Sequence, residues 1–369
     1  MAFRIVITTT LNDNLFHAKL VPLLRARPDV EIVVVSDRSG PPLERVKWVW
    51  PQGLWKRLGR LGGRLPLLMR EMYHPDTRLA MTYNVIPHGL FVVLLTRLRR
   101  LPVYLHFISG EAEVIFAHNP LVSGNRRVQH SKHPQRWEKL ARWVARRAKR
   151  ICVPGTNTAA ALKRLGFKSE TIIHLHSTID PQRFFPGDGT RDIDILVAAQ
   201  LTERKRPLYT LDIFYHILQR RPGTRFCWLG DGPLHAEFAA ARDRLGLQDA
   251  LLWTETNDVA PYYRRARVFL LCSIREGLSL ACMEAMGCGL VPVATDCGDM
   301  VDIVHNQKTG TLLPVEATIE EFASAILQYL DHEKLWSEYS RNACEIIAQE
   351  HSFDSAEKVW RELLKSFPE

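Results

Sequence analysis

The stretch SIREGLSLACMEAMGCGLVPVATDCG, residues 273–298, sets two glutamates eight positions apart around the start of a helix. An apolar run typical of a buried strand precedes it, and VPVAT (291–295) supplies a second such run within it. The segment between Glu276 and Glu284 is too apolar for a solvated helix face. We therefore expect a strand–turn–helix–strand unit in which both carboxylates have a functional role. The structural alternative is a surface turn followed by an ordinary exposed helix face.

Similar apolar runs recur along the chain and alternate with helix-length amphipathic segments. Several are apolar throughout rather than alternating, as expected of parallel strands that are covered on both faces. The predicted strands are residues 4–8, 31–37, 79–85, 103–107, 150–155, 194–200, 225–230, 267–273 and 291–295. This order predicts a doubly wound α/β architecture, with ligands bound at the carboxyl ends of the strands.

A segment rich in Pro, Gly and Asp, FFPGDGTRD (184–192), interrupts the series of strands and indicates a domain boundary. The length of 369 residues also favours two domains. We predict two Rossmann-like domains that face a central cleft. The first comprises residues 1–186 together with a returning C-terminal helix (352–369), and the second comprises residues 187–351.

Charge is unevenly distributed between the two halves of the chain. Residues 1–180 hold 29 Lys and Arg against 12 Asp and Glu, although the net charge of the whole chain is only +9. The first half is therefore the half expected to face an anionic partner. Seven scattered cysteines without a CxxC pair, a start without a leader pattern and the lack of a bilayer-length apolar run favour a cytoplasmic protein.

The turn before the predicted helix has the chemistry of an anion site. Ser279 is a good N-cap residue, and the first backbone N–H groups of a helix have no partner within it. Those groups and the helix dipole attract a phosphate, and Gly277 allows close approach to the backbone. Carboxylates accept hydrogen bonds from sugar hydroxyls and are poor partners for phosphate, so the two glutamates suit the sugar ends of a nucleotide sugar.

These residues resemble the EX7E motif of retaining GT-B glycosyltransferases, specifically glycosyltransferase family 4. Further stretches of the second domain carry the same resemblance: AAQLTERKRP (198–207), LGDGPLHAEF (229–238), VAPYYRRARVFLLCS (259–273) and NQKTGTLLP (306–314). Each alone is a weak signal, but together they are specific. The first domain is less similar, and the likeness there is carried by VYLHF (103–107), the 150–155 strand and STIDPQRFFP (177–186).

The resemblance implies a role for individual residues of a donor site. Glu276 would bind hydroxyls of the transferred sugar, Glu284 would hold the ribose hydroxyls, and Lys205 would neutralise the donor phosphates. The backbone near the sugar and the diphosphate would come from Gly277, Leu278, Ser279 and Leu280. His106 matches a first-domain histidine near the reacting sugar, but a lone histidine at a strand end is as readily a structural residue.

The sequence departs from the family pattern at Gln200, where relatives have an arginine. One phosphate-binding charge is thereby unaccounted for, and either Arg204 or Arg206 would replace it or would be a solvated loop charge. A DxD match at 192–194 precedes a strand instead of following one, so we do not expect it to bind a metal. The resemblance implies a metal-independent and cofactor-free transfer, because Lys and helix N–H groups stabilise the departing diphosphate.

The implied enzyme is a retaining hexosyltransferase. It would move a hexose or N-acetylhexosamine from a UDP-sugar, or as second choice a GDP-sugar, to a lipid-linked or saccharide acceptor in cell-surface polysaccharide or glycolipid synthesis. A nucleotide-sugar epimerase, a phosphorylase or an inactive scaffold of the same fold stays open as an alternative. The basic charge also suggests a nucleic-acid-binding protein, but no RNP, KH, helix-turn-helix or zinc-finger pattern is present, so we expect no nucleic-acid partner.

Residues 48–70, WVWPQGLWKRLGRLGGRLPLLMR, mix tryptophans with cations. They predict an interfacial element on an anionic membrane, which would make the protein peripheral at the inner face of the cell membrane. The predicted contact residues are Trp55, Lys56, Arg57, Arg60 and Arg64. The alternative is a core-facing helix with a solvated basic face, and the glycines in this segment disfavour a long helix.

Overall fold

A computed structural model describes residues 3–11, 13–97, 99–120, 123 and 125–367, without the side chains of residues 13, 14, 54, 60, 61 and 126. The chain divides into two units. One is Met1–Ser177 together with Phe353–Glu369, and the other is Thr178–Ser352. The division at 177/178 lies nine residues before the predicted boundary at 186/187, because Ile179 and Phe184 pack in the core of the second unit.

In the part of the chain that is described, the first unit has a seven-stranded parallel sheet. Its strands are β1 (Phe3–Thr8), β2 (Val30–Val35), β3 (Val46–Val49), β4 (Thr77–Thr82), β5 (Val103–His106), β6 (Arg150–Val153) and β7 (Ile172–His174). The order across the sheet is β3-β2-β1-β4-β5-β6-β7. The winding reverses between β1 and β4, and the carboxyl ends of these two strands are where such a sheet binds ligands.

The first sheet is covered on both faces. Before the chain enters the second unit, its helices are α1 (Asp13–Ala26), α2 (Gly59–Gly62), α3 (Arg64–Met72), α4 (Leu90–Thr96), α5 (Arg126–Gln129), α6 (Pro134–Ala145) and α7 (Thr156–Arg164). Successive residues of β1 pack on opposite faces: Val6 joins the core with α3, α4, α6 and α7, whereas Ile5 and Ile7 join the core with α1. Burial on both faces explains why the central strands are apolar throughout.

The second unit repeats this plan with a six-stranded parallel sheet, counted over the described residues, in the order β10-β9-β8-β11-β12-β13. Its strands are β8 (Ile193–Ala198), β9 (Phe226–Leu229), β10 (Leu251–Thr254), β11 (Ala266–Leu271), β12 (Val291–Thr295) and β13 (Thr311–Leu313). Its helices are α8 (Pro207–Arg220), α9 (His235–Arg244), α10 (Ala260–Arg265), α11 (Leu280–Gly287), α12 (Ile319–Asp331) and α13 (Glu333–Glu350). The winding reverses between β8 and β11, which places the ligand-binding edge at the ends of these two strands.

The chain then returns to the first unit through α14 (Phe353–Leu364). Trp360 and Leu364 of α14 are buried in the same core as α1. An aromatic contact of 5.8 Å between the rings of His17 and Phe353 joins the start of α14 to α1. The returning helix is therefore part of the first unit's core.

The basic segment 48–70 is not one helix. It contains the end of β3, a short 3-10 turn (Gly53–Leu58), α2 and most of α3. Trp55, Lys56 and Arg57 are exposed, as a membrane contact requires, and the Arg60 side chain lies outside the described residues. Arg64 is buried and its guanidinium lies 3.5 Å from the carbonyl oxygen of Thr9, so the prediction that Arg64 contacts a membrane is wrong. Among the described helices, none is long and apolar enough to cross a membrane.

The central strand β11 gives a test of the second unit's core. Leu270 of β11 is fully buried, whereas Leu252 of β10 in the same sheet is 45% exposed. We expect Leu270→Ala to destabilise the protein by about 2–5 kcal/mol, because it leaves a cavity in a packed core. Leu252→Ala removes the same atoms and should cost less than about 1 kcal/mol. Urea unfolding measures both, and equal losses would contradict the assigned arrangement of the sheet.

Candidate functional site

The turn between β11 and α11 lies at the carboxyl edge of the second sheet. β11 ends at Leu271, and Ser279 is the N-cap of α11. The Ser279 hydroxyl accepts a hydrogen bond from the backbone N–H of Cys282 at 3.4 Å, which confirms the predicted helix start. Gly277, Leu278 and Ser279 are buried, and Leu280 is half-buried. Apart from Glu284, the buried residues of α11 are small apolar or sulfur-containing residues, which is why the sequence around the glutamates is so apolar.

Glu276 is buried in this turn and forms ion pairs with two cations. Its Oε1 lies 2.6 Å from Lys205 Nζ, and its Oε2 lies 3.4 Å from Arg204 Nη1. Burial by itself would raise the pKa of Glu276, but the Lys205 ammonium and, after it, the Arg204 guanidinium outweigh burial and hold this pKa below its ordinary value. Glu276 is therefore a carboxylate at neutral pH.

The same cations join two loops of the sheet edge. Lys205 ends a short 3-10 turn (Glu203–Lys205) that follows β8. Arg204 donates to the carbonyl oxygen of Arg275 at 3.0 Å, and its own carbonyl accepts from the N–H of Ile274 at 2.9 Å. The loops after β8 and β11, which flank the reversal of winding, are thus held to each other by backbone and charge.

Glu284 occupies a different environment one turn into α11. It is buried, and the hydroxyl of Tyr263 lies 3.5 Å from its Oε2. Burial raises the pKa of Glu284 to about 8, although the Arg183 charge and the Tyr263 hydrogen bond oppose the rise. At neutral pH, Glu284 is thus mainly a neutral carboxylic acid, whereas Glu276 is charged.

The loop after β12 packs against the Glu276 turn and forms hydrogen bonds with its backbone. A Cβ on Gly298, whose φ is +61°, would lie 2.1 Å from the carbonyl oxygen of Glu276. The N–H of Asp299 donates to the carbonyl of Gly277 at 2.8 Å, and the Thr295 hydroxyl donates to the carbonyl of Ser273 at 2.6 Å. The sequence analysis missed these residues. Their signal is a run of small and polar residues, TDCGD, at the carboxyl end of a predicted strand.

Glycines also explain the LGDGP segment after β9. A Cβ on Gly230 would lie 2.4 Å from the carbonyl oxygen of Ala199, and one on Gly232 would lie 2.6 Å from the carbonyl oxygen of Leu201. Only glycine permits so close an approach of two backbones. The loop after β9 therefore packs directly on the loop that follows β8 and leads to Lys205.

The remaining predicted donor residues are placed as follows. Gln200 is exposed in the loop after β8. Of the two arginines considered as a replacement for the family arginine, Arg204 lies at the Glu276 turn, whereas Arg206 packs 3.8 Å over the Tyr209 ring and donates to the carbonyl of Val315 at 2.7 Å. Both carboxylates of the DxD match are in ion pairs, Asp192 with Arg265 and Asp194 with Arg221.

His106 lies in the first unit, at the end of β5. It is buried, with its ring 4.5 Å from that of Tyr83 and 5.6 Å from that of Trp360. The pKa of His106 lies well below its ordinary value, mainly because the ring is buried and to a lesser extent because of the Lys19 charge. The histidine is therefore neutral. Nothing in this environment tests a part in the transfer step, which stays a prediction.

Two doubly wound parallel α/β units are the architecture of the GT-B class of folds. Residues 192–332 match the family model of glycosyl transferases group 1. HepE of Anabaena, solved with UDP and glucose, superposes with a TM-score of 0.77 at 15% identity over 98% of this chain and 99% of that one. Sucrose-phosphate synthase of Thermosynechococcus elongatus gives 0.77 at 14% identity over the same shares. The fold is GT-B, and residues 192–332 are similar to the glycosyl transferases group 1 family.

Curated relatives match part of the chain. A phosphatidylinositol N-acetylglucosaminyltransferase subunit of Arabidopsis thaliana is 27% identical over 42% of this chain and 36% of its own length. D-inositol 3-phosphate glycosyltransferase of Mycobacteroides abscessus is 31% identical over 42% of this chain and 38% of its own length. The chain thus spans little more than a third of the length of either relative.

The raised pKa of Glu284 predicts a pH-dependent stability. An unfolded glutamate ionises near pH 4.5, whereas folded Glu284 keeps its proton to about pH 8, so ionisation favours the unfolded state increasingly between these values. Glu284→Gln removes this effect. We expect its melting temperature to rise relative to wild type, by several degrees, as the pH increases from 5 to 8.

Differential scanning calorimetry at pH 5, 6.5 and 8 measures this difference. Glu237→Gln is the matched control, because Glu237 is an exposed glutamate of α9 in the same unit. Its difference from wild type should stay constant with pH. A constant difference for Glu284→Gln as well would show that Glu284 ionises normally.

Proposed function

We propose that the protein is a retaining, metal-independent glycosyltransferase that binds its nucleotide-sugar donor at the Glu276 turn of the second unit. The observation that carries the proposal is the buried Glu276–Lys205 pair, 2.6 Å apart, beside the open start of α11. The similarity of residues 192–332 to the glycosyl transferases group 1 family and the GT-B fold support it.

The donor diphosphate would lie at the first N–H groups of α11. Ser279 occupies only the N–H of Cys282, so the neighbouring N–H groups are available to an anion. Lys205 and Arg204 bring positive charge to the same turn, and Gly277 has no side chain to obstruct the approach. As the bond to the sugar breaks, charge grows on the diphosphate, and fixed donors stabilise it at little cost in reorganisation.

The two glutamates would bind hydroxyls at opposite ends of the donor. Glu276, a carboxylate, only accepts hydrogen bonds and so suits the hydroxyls of the transferred sugar. Glu284 would hold the ribose, and a ribose diol that donates to it would favour its charged form and release a proton on binding. With both glutamates engaged in binding, the departing phosphate itself would take the acceptor's proton, which corresponds to same-face attack and retention.

UDP is the first choice of nucleotide and GDP the second. HepE of Anabaena was solved with UDP-glucose, which supports the first choice. The transferred sugar would be a hexose or N-acetylhexosamine. A lipid-linked or saccharide acceptor in polysaccharide or glycolipid synthesis fits relatives such as the putative colanic acid biosynthesis glycosyltransferase WcaL of Escherichia coli and the plant phosphatidylinositol N-acetylglucosaminyltransferase. The first unit would bind this acceptor.

Incubation with labelled UDP- and GDP-sugars, with and without a membrane extract, tests the function. We expect Glu276→Gln to lower transfer at least 100-fold, because a neutral amide no longer accepts from the sugar hydroxyls as a carboxylate does. Nucleotide affinity, measured by calorimetry with UDP and GDP, should change less than about fivefold. Glu237→Gln is the matched control. Wild-type transfer by Glu276→Gln would refute the role of Glu276, and epimerised or hydrolysed donor without transfer would refute the function.

Membrane contact of the 3-10 turn is a separate part of the proposal. Exposed Trp55, Lys56 and Arg57 present an aromatic ring and two cations, each cation contributing about 1 kcal/mol at an anionic surface. We expect the Lys56→Ala/Arg57→Ala variant to bind phosphatidylserine vesicles about 10- to 30-fold more weakly in a sedimentation assay. Lys308→Ala/Lys334→Ala removes the same charge from exposed positions of the second unit and should have little effect. Equal losses in both variants would mean that only net charge matters.

A further inference from the structure

Lys19 of α1 places a cation in the interior of the first unit without an acidic partner. The residue is 7% exposed, and its Nζ donates to the Ser177 hydroxyl at 2.9 Å. Among the described residues, no carboxylate forms an ion pair with it. Burial lowers the pKa of Lys19 to about 8, so the ammonium is still mostly charged at neutral pH. Buried charges are normally paired, and an unpaired one is costly.

Among the described residues, the titratable groups that interact with Lys19 are Cys152 and His106. Tyr83 packs on the His106 ring, and all three groups are neutral. Burial raises the pKa of Cys152, on β6, to about 12 and raises that of Tyr83, beside the end of β4, above its ordinary range. His106, on β5, is neutral because its pKa is lowered. The protein itself thus supplies hydroxyls, a thiol and an imidazole around the ammonium, but none of these side chains carries a compensating negative charge.

Two of these neighbours have unused hydrogen-bonding atoms. Neither the hydroxyl of Tyr83 nor Nε2 of His106 has a hydrogen-bond partner among the described residues, although both atoms are buried. Their rings lie 4.5 Å apart. More than nine in ten buried polar groups of native proteins are paired, so two unmatched atoms beside an unmatched charge call for a ligand.

The position in the fold is that of a binding site. Tyr83 follows β4 directly and His106 ends β5, so both lie at the carboxyl edge of the first sheet, beside the reversal of winding between β1 and β4. Lys19 reaches this edge from the helix that follows β1. Lys19 and Ser177 each keep 7% of their surface exposed, so the cluster is not sealed from solvent.

We propose that Lys19, Tyr83 and His106 form a phosphate-binding subsite at the carboxyl edge of the first sheet. An ammonium, a phenol O–H and a neutral imidazole N–H are all donors, and a phosphate oxygen accepts from each. The lysine charge offsets that of the phosphate, which removes the cost of the unpaired cation. We assign this phosphate to the acceptor, because the proposed function gives acceptor binding to the first unit. That assignment rests on the proposed function, whereas the subsite itself does not.

Thermal unfolding in inorganic phosphate, compared with chloride at equal ionic strength and pH 7, tests the subsite. The variants are Lys19→Met, which keeps the length of the side chain, and Lys163→Met, which removes an exposed lysine of α7 in the same unit. We expect 20 mM phosphate to raise the melting temperature of wild type and Lys163→Met by several degrees, and that of Lys19→Met by less than a quarter as much. An equal shift in Lys19→Met, or no shift in wild type, would overturn the proposal.

Two further measurements are needed. One identifies the source of the phosphate, and the other tests the subsite independently of the proposed function. Glycerol 3-phosphate and a short-chain phosphatidic acid, tested in the same way, distinguish a soluble phosphoester from a lipid headgroup by the larger Lys19-dependent shift. Transfer assays show whether Lys19→Met raises the acceptor KM while leaving the donor KM unchanged. A Lys19-dependent phosphate shift in a protein without transferase activity would keep the subsite and reject the proposed function. Transferase activity without a Lys19-dependent phosphate shift would keep the proposed function and reject the subsite.

Discussion

The ion pair between Glu276 and Lys205 is the interaction on which the site of the second unit depends. A carboxylate in a buried turn is stable as a charge only if a cation accompanies it, and the 2.6 Å contact with Lys205 supplies that cation. The pair also joins the loop after β8 to the loop after β11, the two strands between which the winding reverses. The glycine-only contact of residue 298 with the Glu276 carbonyl fixes the same turn from the side of β12. Charge and backbone packing therefore specify one geometry for the turn.

Environment gives the two glutamates of the EX7E-like spacing different chemistry. Both are buried to nearly the same extent, at 7% and 6% exposure, so desolvation alone would treat them alike. The difference is the partner: Glu276 contacts an ammonium, whereas Glu284 contacts the neutral hydroxyl of Tyr263. Glu276 is therefore charged before any ligand binds, whereas Glu284 is mainly neutral, and hydrogen-bond donors that approach Glu284 would favour its charged form. This asymmetry follows from positions 205 and 263, which are distant in sequence from the motif.

The sequence predicted the centre of each sheet and missed its edges. The predicted strands correspond to β1, β2, β4, β5, β6, β8, β9, β11 and β12, which are buried on both faces and so are apolar throughout. The missed strands, β3, β7, β10 and β13, are the outermost of their sheets. They are short and partly exposed, so their sequences carry a weaker apolar signal. The membrane role of Arg64 was wrong for a related reason: a charged residue in a basic segment gives no local sign that its side chain turns inward to the carbonyl of Thr9.

The parts of the candidate sites that could be predicted are those with a local signal in the sequence. Ser279 was predictable because an N-cap depends on its own helix, and Glu276 and Lys205 because both stand in stretches that resemble motifs of a known family. The support from Gly298 and the unmatched cluster around Lys19 arise only when distant strands end at one edge. Both units place a lysine at such an edge, but Lys205 has Glu276 beside it, whereas the titratable groups described around Lys19 are neutral. A lysine that already has a carboxylate can share its charge with a diphosphate, while an unpaired one has its whole charge to offer. The basic excess of the first half of the sequence thus has, at Lys19, a definite place in the interior as well as on the surface.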